Sequence, residues 1–269
     1  RGHRVRGLAR SDQAADRVRS SGAEPVFGSL RELDRLTAAA READVVIHTA
    51  ATQDLERPTV DAAAVTAMRG ALERGAFITT TGAPVARSSR PPVKEEDTGE
   101  LPPALSWLTR AEARVLGAEH VRGVVVRPPI VYGDGAGPIA GMVQRARAEE
   151  ISRYIGDGEN RWSTVHVRDL AVAYSLLAES NERGVFHVAE REPVAMKQLF
   201  SAIGEAAYVA VKSWSLERAS AEHGPMAGFL ALDAALDAGK LRSLGWETRF
   251  GDALGGVCGA LGNPAQRYR

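Results

Sequence analysis

The side chains able to do chemistry concentrate in residues 127–174. The stretch opens as Arg127-Pro128-Pro129-Ile130-Val131-Tyr132-Gly133-Asp134-Gly135 and continues through Tyr154-Ile155-Gly156-Asp157-Gly158. It closes as Trp162-Ser163-Thr164-Val165-His166-Val167-Arg168-Asp169-Leu170-Ala171. Tyr132 offers a phenol for proton transfer, and His166 an imidazole that could face a substrate. Asn160, Arg161 and Trp162 form a polar and aromatic group beside a Gly-Asp-Gly turn. Thr81, earlier in the chain, has a hydroxyl that can hydrogen-bond a substrate oxygen but hardly ionises. Arg110 is a fixed positive charge that cannot relay a proton. Two prolines directly after Arg127 interrupt helix and ladder alike, so the backbone there is free to face a bound molecule.

Those side chains need a scaffold, and hydrophobic patterning supplies one. Residues 123–126 form an apolar, β-branched run that predicts a buried strand, and in an open α/β sheet ligands sit beyond such a strand's carboxyl end. Strands are also predicted over 3–9, 24–27, 44–49, 76–80, 184–188 and 208–213, with helices over 13–21, 59–74, 139–149, 194–206, 228–234 and 237–244. Ser29 to Glu32 reads as a capping box for a helix running to about residue 43, and Thr109 with Glu112 as a second box. Asp169 is placed to cap a helix over 170–178. His48, inside the 44–49 run, reads as a structural histidine. Residues 84–103 are rich in proline and charge and read as a loop over the site. The pattern is that of an α/β protein with parallel strands, either one large domain or one domain with a small lobe.

Composition narrows the partners. Lys plus Arg and Asp plus Glu are both 34 in 269 residues, so no net field favours nucleic acid or an anionic membrane. The hydrophobic fraction is 44%, and no apolar run approaches the ~20 residues that span a bilayer. One cysteine excludes an internal disulfide, and no metal-ligand spacing occurs. A cytoplasmic location is expected, with a small molecule as partner.

In this order the motifs resemble the extended short-chain dehydrogenase/reductase superfamily, the nucleotide-sugar epimerases, dehydratases and related reductases. The resemblance implies a Rossmann-like fold, a doubly wound parallel sheet over residues 1–150 with a small carboxyl-terminal substrate lobe over residues 151–269 interleaved with the last strands of the sheet, and a bound NAD(P). It implies that Arg10 and Ser11, at the end of the family's second strand, meet the 2′-phosphate of NADP, which makes NADP the expected cofactor over NAD. Ser29 and Leu30 would neighbour the adenine, and Thr49, Ala50, Ala51 and Thr80 would line the phosphates and ribose. Pro128, Pro129, Ile130 and Val131 would line the nicotinamide side. Thr81 and Tyr132 become the candidate catalytic residues, and Arg110, Asn160, Arg161, Trp162 and His166 the candidate substrate contacts. A homodimer through helices 59–74 and 109–120 is a further expectation.

Two family features are missing from the sequence. No first strand with a glycine-rich turn and helix precedes Gly2-His3-Arg4-Val5, so the chain reads as one lacking about 25 residues of the family unit. Where the family has Tyr-x-x-x-Lys, residues 106–114 read Ser-Trp-Leu-Thr-Arg-Ala-Glu-Ala-Arg. The expected activity is that of an NAD(P)-dependent oxidoreductase or epimerase acting on a small carbonyl or sugar-like substrate. The alternative is an NADP-binding regulatory protein without turnover.

Overall fold

A computed structural model describes residues 2–52, 54–82, 92–97, 101, 103–117, 120–224 and 226–259. Most of the proline-rich stretch 84–103 lies outside the described residues. By compactness the chain forms two units, one of Arg1–Thr79, Trp107–Val125 and Asn181–Gly184, the other of Thr80–Ser106, Val126–Ser180 and Val185–Arg269. Three separate segments contribute to each unit.

The first unit alternates strands and helices. Strand β1 (Arg6–Ala9), helix α1 (Asp12–Ser20) and strand β2 (Glu24–Phe27) come first, with β1 and β2 parallel in the register Arg6 to Glu24. Helix α2 (Leu33–Arg41), strand β3 (Val45–His48), helix α3 (Arg57–Ala71) and strand β4 (Ala76–Thr80) follow, and β3 pairs in parallel with β4. After a 3-10 turn (Pro103–Leu105) come helix α4 (Trp107–Leu116) and strand β5 (Arg122–Arg127). With strand β10 (Gly184–His187), these form a sheet in the order β10-β5-β4-β3, while β1 and β2 form a two-stranded sheet of their own. The continuous apolar runs Ala76-Phe77-Ile78 and Val124-Val125-Val126 are fully buried, as parallel strands covered on both faces require. Gly75 admits no other residue without distortion: its φ is +89°, and a Cβ would lie 1.8 Å from the Asp44 carbonyl oxygen.

The second unit is built on short strands and longer helices. Strand β6 (Ile130–Tyr132) pairs in parallel with β9 (Thr164–His166), setting Tyr132 opposite His166. Between them lie helix α5 (Gly137–Ala148), strand β7 (Ile151–Ile155) and strand β8 (Arg161–Trp162). Helix α6 (Val167–Glu179) follows β9. Beyond β10 come β11 (Val194–Ala195), α7 (Met196–Ala207), β12 (Ala210–Trp214), α8 (Leu216–His223), α9 (Met226–Leu230), α10 (Gly239–Arg242) and α11 (Ala253–Gly259). Helices α5, α7 and α11 pack together around Tyr132, Ile139, Val143, Leu199, Ile203 and Val257.

Four local expectations are corrected. The first capping box does not form, because Leu30 turns into the core and residues 29–32 close a turn, delaying α2 to Leu33. Thr109 is not a cap, since α4 is already helical from Trp107. Residues 130–132 are a paired strand, not loop: the prolines precede the ladder and do not prevent it. The cap of α6 is His166, whose Nδ1 accepts from the Arg168 amide at 3.2 Å, and Asp169 is instead buried within the first turn.

Candidate functional site

In the first unit the residues expected around a cofactor follow the carboxyl ends of β1, β2 and β3. Ala9 is buried and ends β1, and the next residue, Arg10, is exposed with no charged partner among the described residues. Ser11 caps α1, its Oγ accepting from the Ala14 amide at 3.2 Å. Ser29 accepts weakly from the Arg31 amide at 3.4 Å, and the Leu30 side chain is buried, which commits it to the core rather than to an open adenine surface. Past β3, Thr49 and Ala50 are exposed and Ala51 is half-buried, so the strand end carries only small side chains. His48 itself is buried against Asp61, Nε2 to Oδ1 2.9 Å, as a structural histidine would be. Arg110 is exposed on α4.

These residues fit a dinucleotide in a definable way. A cation with no charged partner among the described residues follows the end of β1, and small residues follow the end of β3, where a backbone can be approached closely.

In the second unit Thr80 and Thr81 continue from β4. The Thr81 amide donates to the Val126 carbonyl at 3.1 Å, and its side chain is half-buried. The Thr80 hydroxyl is hydrogen-bonded to the Tyr174 hydroxyl on α6. Burial raises the Tyr174 pKa, and the Thr80 bond acts against that shift. Tyr174 was not anticipated, although it stands one helical turn after Leu170 and beside Ala173 on the buried stripe of α6. Pro128 is buried, Pro129 and Val131 are half-buried, and Ile130 packs in the core.

Tyr132, expected as an acid, has its hydroxyl committed within the protein. It is 2% exposed, donates to Glu190 Oε1 at 2.7 Å and accepts from the Asp252 amide at 2.8 Å. Burial first, and the Glu190 carboxylate second, raise its pKa, so it neither ionises readily nor faces open space. Glu190, which the sequence did not single out, also accepts from the Thr164 hydroxyl at 2.8 Å and ties β6, β9 and the 250–252 segment together. His166 packs edge-on against Tyr132, ring centroids 5.2 Å apart, and stacks on Phe250 at 5.1 Å. Its close fit explains Gly133, where a Cβ would lie 2.4 Å from His166 Nε2.

Two of the three residues beside the Gly-Asp-Gly turn are likewise occupied. Asn160 Nδ2 donates to the carbonyls of Leu230 and Leu232, at 3.0 and 3.3 Å, and Trp162 Nε1 donates to Leu232 at 2.9 Å. Arg161 is exposed, its backbone amide held by Asp233. A second buried cluster joins Arg127, Glu95 and His187: Arg127 donates to the Glu95 carbonyl at 3.0 Å, and Glu95 Oε1 accepts the His187 amide at 3.1 Å. Burial, then the Arg127 charge, push the His187 imidazole down to about 4.

Comparison with known proteins agrees with this architecture. A family model described as NAD(P)H-binding matches residues 1–154. An uncharacterised protein of Schizosaccharomyces pombe is 32% identical over 86% of this chain and 82% of its own length. A 4-hydroxy-2-methyl-3-oxo-4-farnesyl-3,4-dihydroquinoline-1-oxide ketoreductase of Stigmatella aurantiaca is 27% identical over 76% of this chain and 66% of its own. Among solved structures, the UDP-glucose 4-epimerase of Thermus thermophilus in complex with NAD superposes with a TM-score of 0.71 at 22% identity, covering 96% of this chain and 89% of that one. Among the described residues no helix is long and apolar enough to cross a membrane, and no cluster of three or more metal-ligating side chains occurs.

Proposed function

The chain belongs to the NAD(P)H-binding family and has the epimerase/dehydratase fold of the extended short-chain dehydrogenases/reductases, and from that premise we propose that it is an NADP(H)-dependent oxidoreductase acting on a small carbonyl substrate. The observation that carries the cofactor choice is Arg10: exposed, unpaired among the described residues, and at the end of β1. A guanidinium there gains a charge-assisted bond only if the ribose bears a phosphate. The bound nicotinamide supplies the hydride chemistry. The chain's own residues hold and orient: Thr49 and Ala50 admit the cofactor's backbone-side approach, and Thr81 hydrogen-bonds the substrate oxygen.

Tyr132 is withdrawn from the catalytic pair, because its hydroxyl already has a donor and an acceptor and its proton is held more tightly than a free phenol's. Thr81 retains its role, with Arg161 of the same unit as an exposed cation for an anionic substrate group. Carbonyl reduction is favoured over sugar epimerisation by the ketoreductase named among the relatives. The silent-binding reading draws on α4, which carries no tyrosine.

The test is titration of the protein with NADPH and NADH, followed by Arg10→Ala. NADPH affinity should fall by roughly ten- to a hundredfold, the worth of one charge-assisted bond, with NADH nearly unchanged. Equal losses for both cofactors would make Arg10 structural. NADPH oxidation with an aldehyde and ketone panel then separates enzyme from silent binder, and Thr81→Ala should lower turnover without lowering NADPH affinity.

A further inference from the structure

The second unit contains a partly open cavity of about 240 Å³. Its walls are apolar: Met142 and Ala146 from α5, Ile151 from β7, Phe200 and Ile203 from α7, and Trp214 at the end of β12. That volume is just under the ~300–1,000 Å³ usual for small-molecule sites, room for a ring system and too little for a whole nucleotide sugar.

Three of the polar side chains that line the cavity are already engaged, and Tyr154 adds a phenol to its wall. Ser152 Oγ donates to the Phe200 carbonyl at 2.7 Å, and the Asn160 amide and the Trp162 indole donate to the 230–232 backbone. At the rim, Arg145 and Arg153 share one carboxylate, Glu149, at 3.0 Å each, and Arg153 lies over the Trp214 ring at 4.9 Å. A nucleobase would leave most of its several donors and acceptors unmatched here, which costs binding as any desolvated polar group does. An apolar ring would lose nothing and would gain contact on every wall, with the two rim arginines tolerating one attached acidic group.

We propose that this cavity binds an apolar ring system of about bicyclic size, neutral or singly anionic, and that this ring is the body of the substrate. Only in calling the ligand a substrate does this rest on the oxidoreductase reading. The ring is held by shape and apolar burial, and the rim arginines bias it toward an acidic substituent.

Calorimetric titration of the whole protein with 2-naphthol, with UDP and, separately, with NADPH tests it. Expected are saturable 2-naphthol binding with a negative heat-capacity change, the mark of apolar burial, and no UDP binding in the same range. Ala146→Phe and Met142→Trp, which fill the cavity from α5, should each weaken 2-naphthol by about tenfold, the loss of roughly two methylenes' worth of contact, and leave NADPH affinity unchanged. Circular dichroism shows which variants fold, and either folded variant suffices for the reading. UDP binding that these variants weaken, 2-naphthol binding that they do not, or no 2-naphthol binding at all overturns the proposal. NADPH binding without 2-naphthol binding removes the cavity assignment alone, whereas 2-naphthol binding without NADPH binding removes the oxidoreductase reading alone.

Discussion

At the scale of single residues, the hydroxyl of Tyr132 is a junction between Glu190 and the Asp252 amide, both inside the second unit. Tyr132→Phe keeps the ring and strands those two partners, so it should destabilise the protein by about 1–3 kcal/mol. Urea unfolding measures that loss, and NADPH affinity should not move with it; a catalytic Tyr132 would give the opposite pattern, unchanged stability with lost turnover. His187 makes a second prediction. It is fully buried, and its imidazole is pushed down to about 4, so the folded protein keeps it neutral where the unfolded chain protonates it. Between pH ~6.5 and ~4 the unfolded state therefore holds the extra proton, and stability falls as pH falls through that window. Above ~6.5 the contribution is complete, and on the order of 3 kcal/mol is lost by pH ~4. Replacing His187 with Gln should flatten that part of the stability profile; a profile as steep as before would assign the pH dependence to other groups.

At the scale of elements, α6 is organised from its first turn. Asp169 is fully buried, and its carboxylate accepts the amides of Arg249 and Phe250 at 3.0–3.1 Å, while its carbonyl accepts the Trp246 indole at 3.0 Å. One acidic side chain thereby fixes the 246–250 segment against the helix. Asp169→Asn, nearly isosteric, weakens those charged bonds and should cost about 1.5–3 kcal/mol, with faster amide exchange at Arg249 and Phe250. Protection at those two amides equal to wild type would show that the segment is held by Trp246 packing instead. Motifs of this kind explain the corrected boundaries. A box such as Ser29 to Glu32 states a local preference worth about 1 kcal/mol, and burial of the Leu30 side chain, worth roughly 1.5–3 kcal/mol, outweighs it.

At the scale of the whole molecule, cofactor binding couples to folding. A ligand that binds only the native state stabilises it by about 2.7 kcal/mol at ~100 times its dissociation constant. NADPH should therefore raise the thermal midpoint more than NADH at equal concentration, and Arg10→Ala should abolish the difference. Because the chain forms two compact units, the melt should be followed by two probes; a shift confined to one of two resolved transitions would localise the cofactor's hold. The expected homodimer through α3 and α4 is checked in the same samples by sedimentation, where a monomer with full NADPH affinity would remove the dimer from the account.

The residues of this chain by themselves determine the strands of its first unit and most of its longer helices, because hydrophobic runs and periodicity are local properties. The strands over 24–27 and 76–80 have the expected bounds, and the buried run at Val124 to Val126 lies inside β5. The dinucleotide-type fold was legible from the resemblance of its motifs to a family, and Arg10 from its place directly after a predicted strand. The fate of each polar side chain was not legible. Whether a tyrosine hydroxyl faces a substrate or a buried glutamate depends on partners 58 and 120 residues away, as Tyr132 with Glu190 and Asp252 shows. The same holds for Asn160 and Trp162, drawn to carbonyls some 70 residues on, and for Tyr174, brought to Thr80 across 94. Local pattern sets what an element is; only tertiary packing, which desolvates a polar group and so compels it to find a partner, decides which side chains remain free for a ligand.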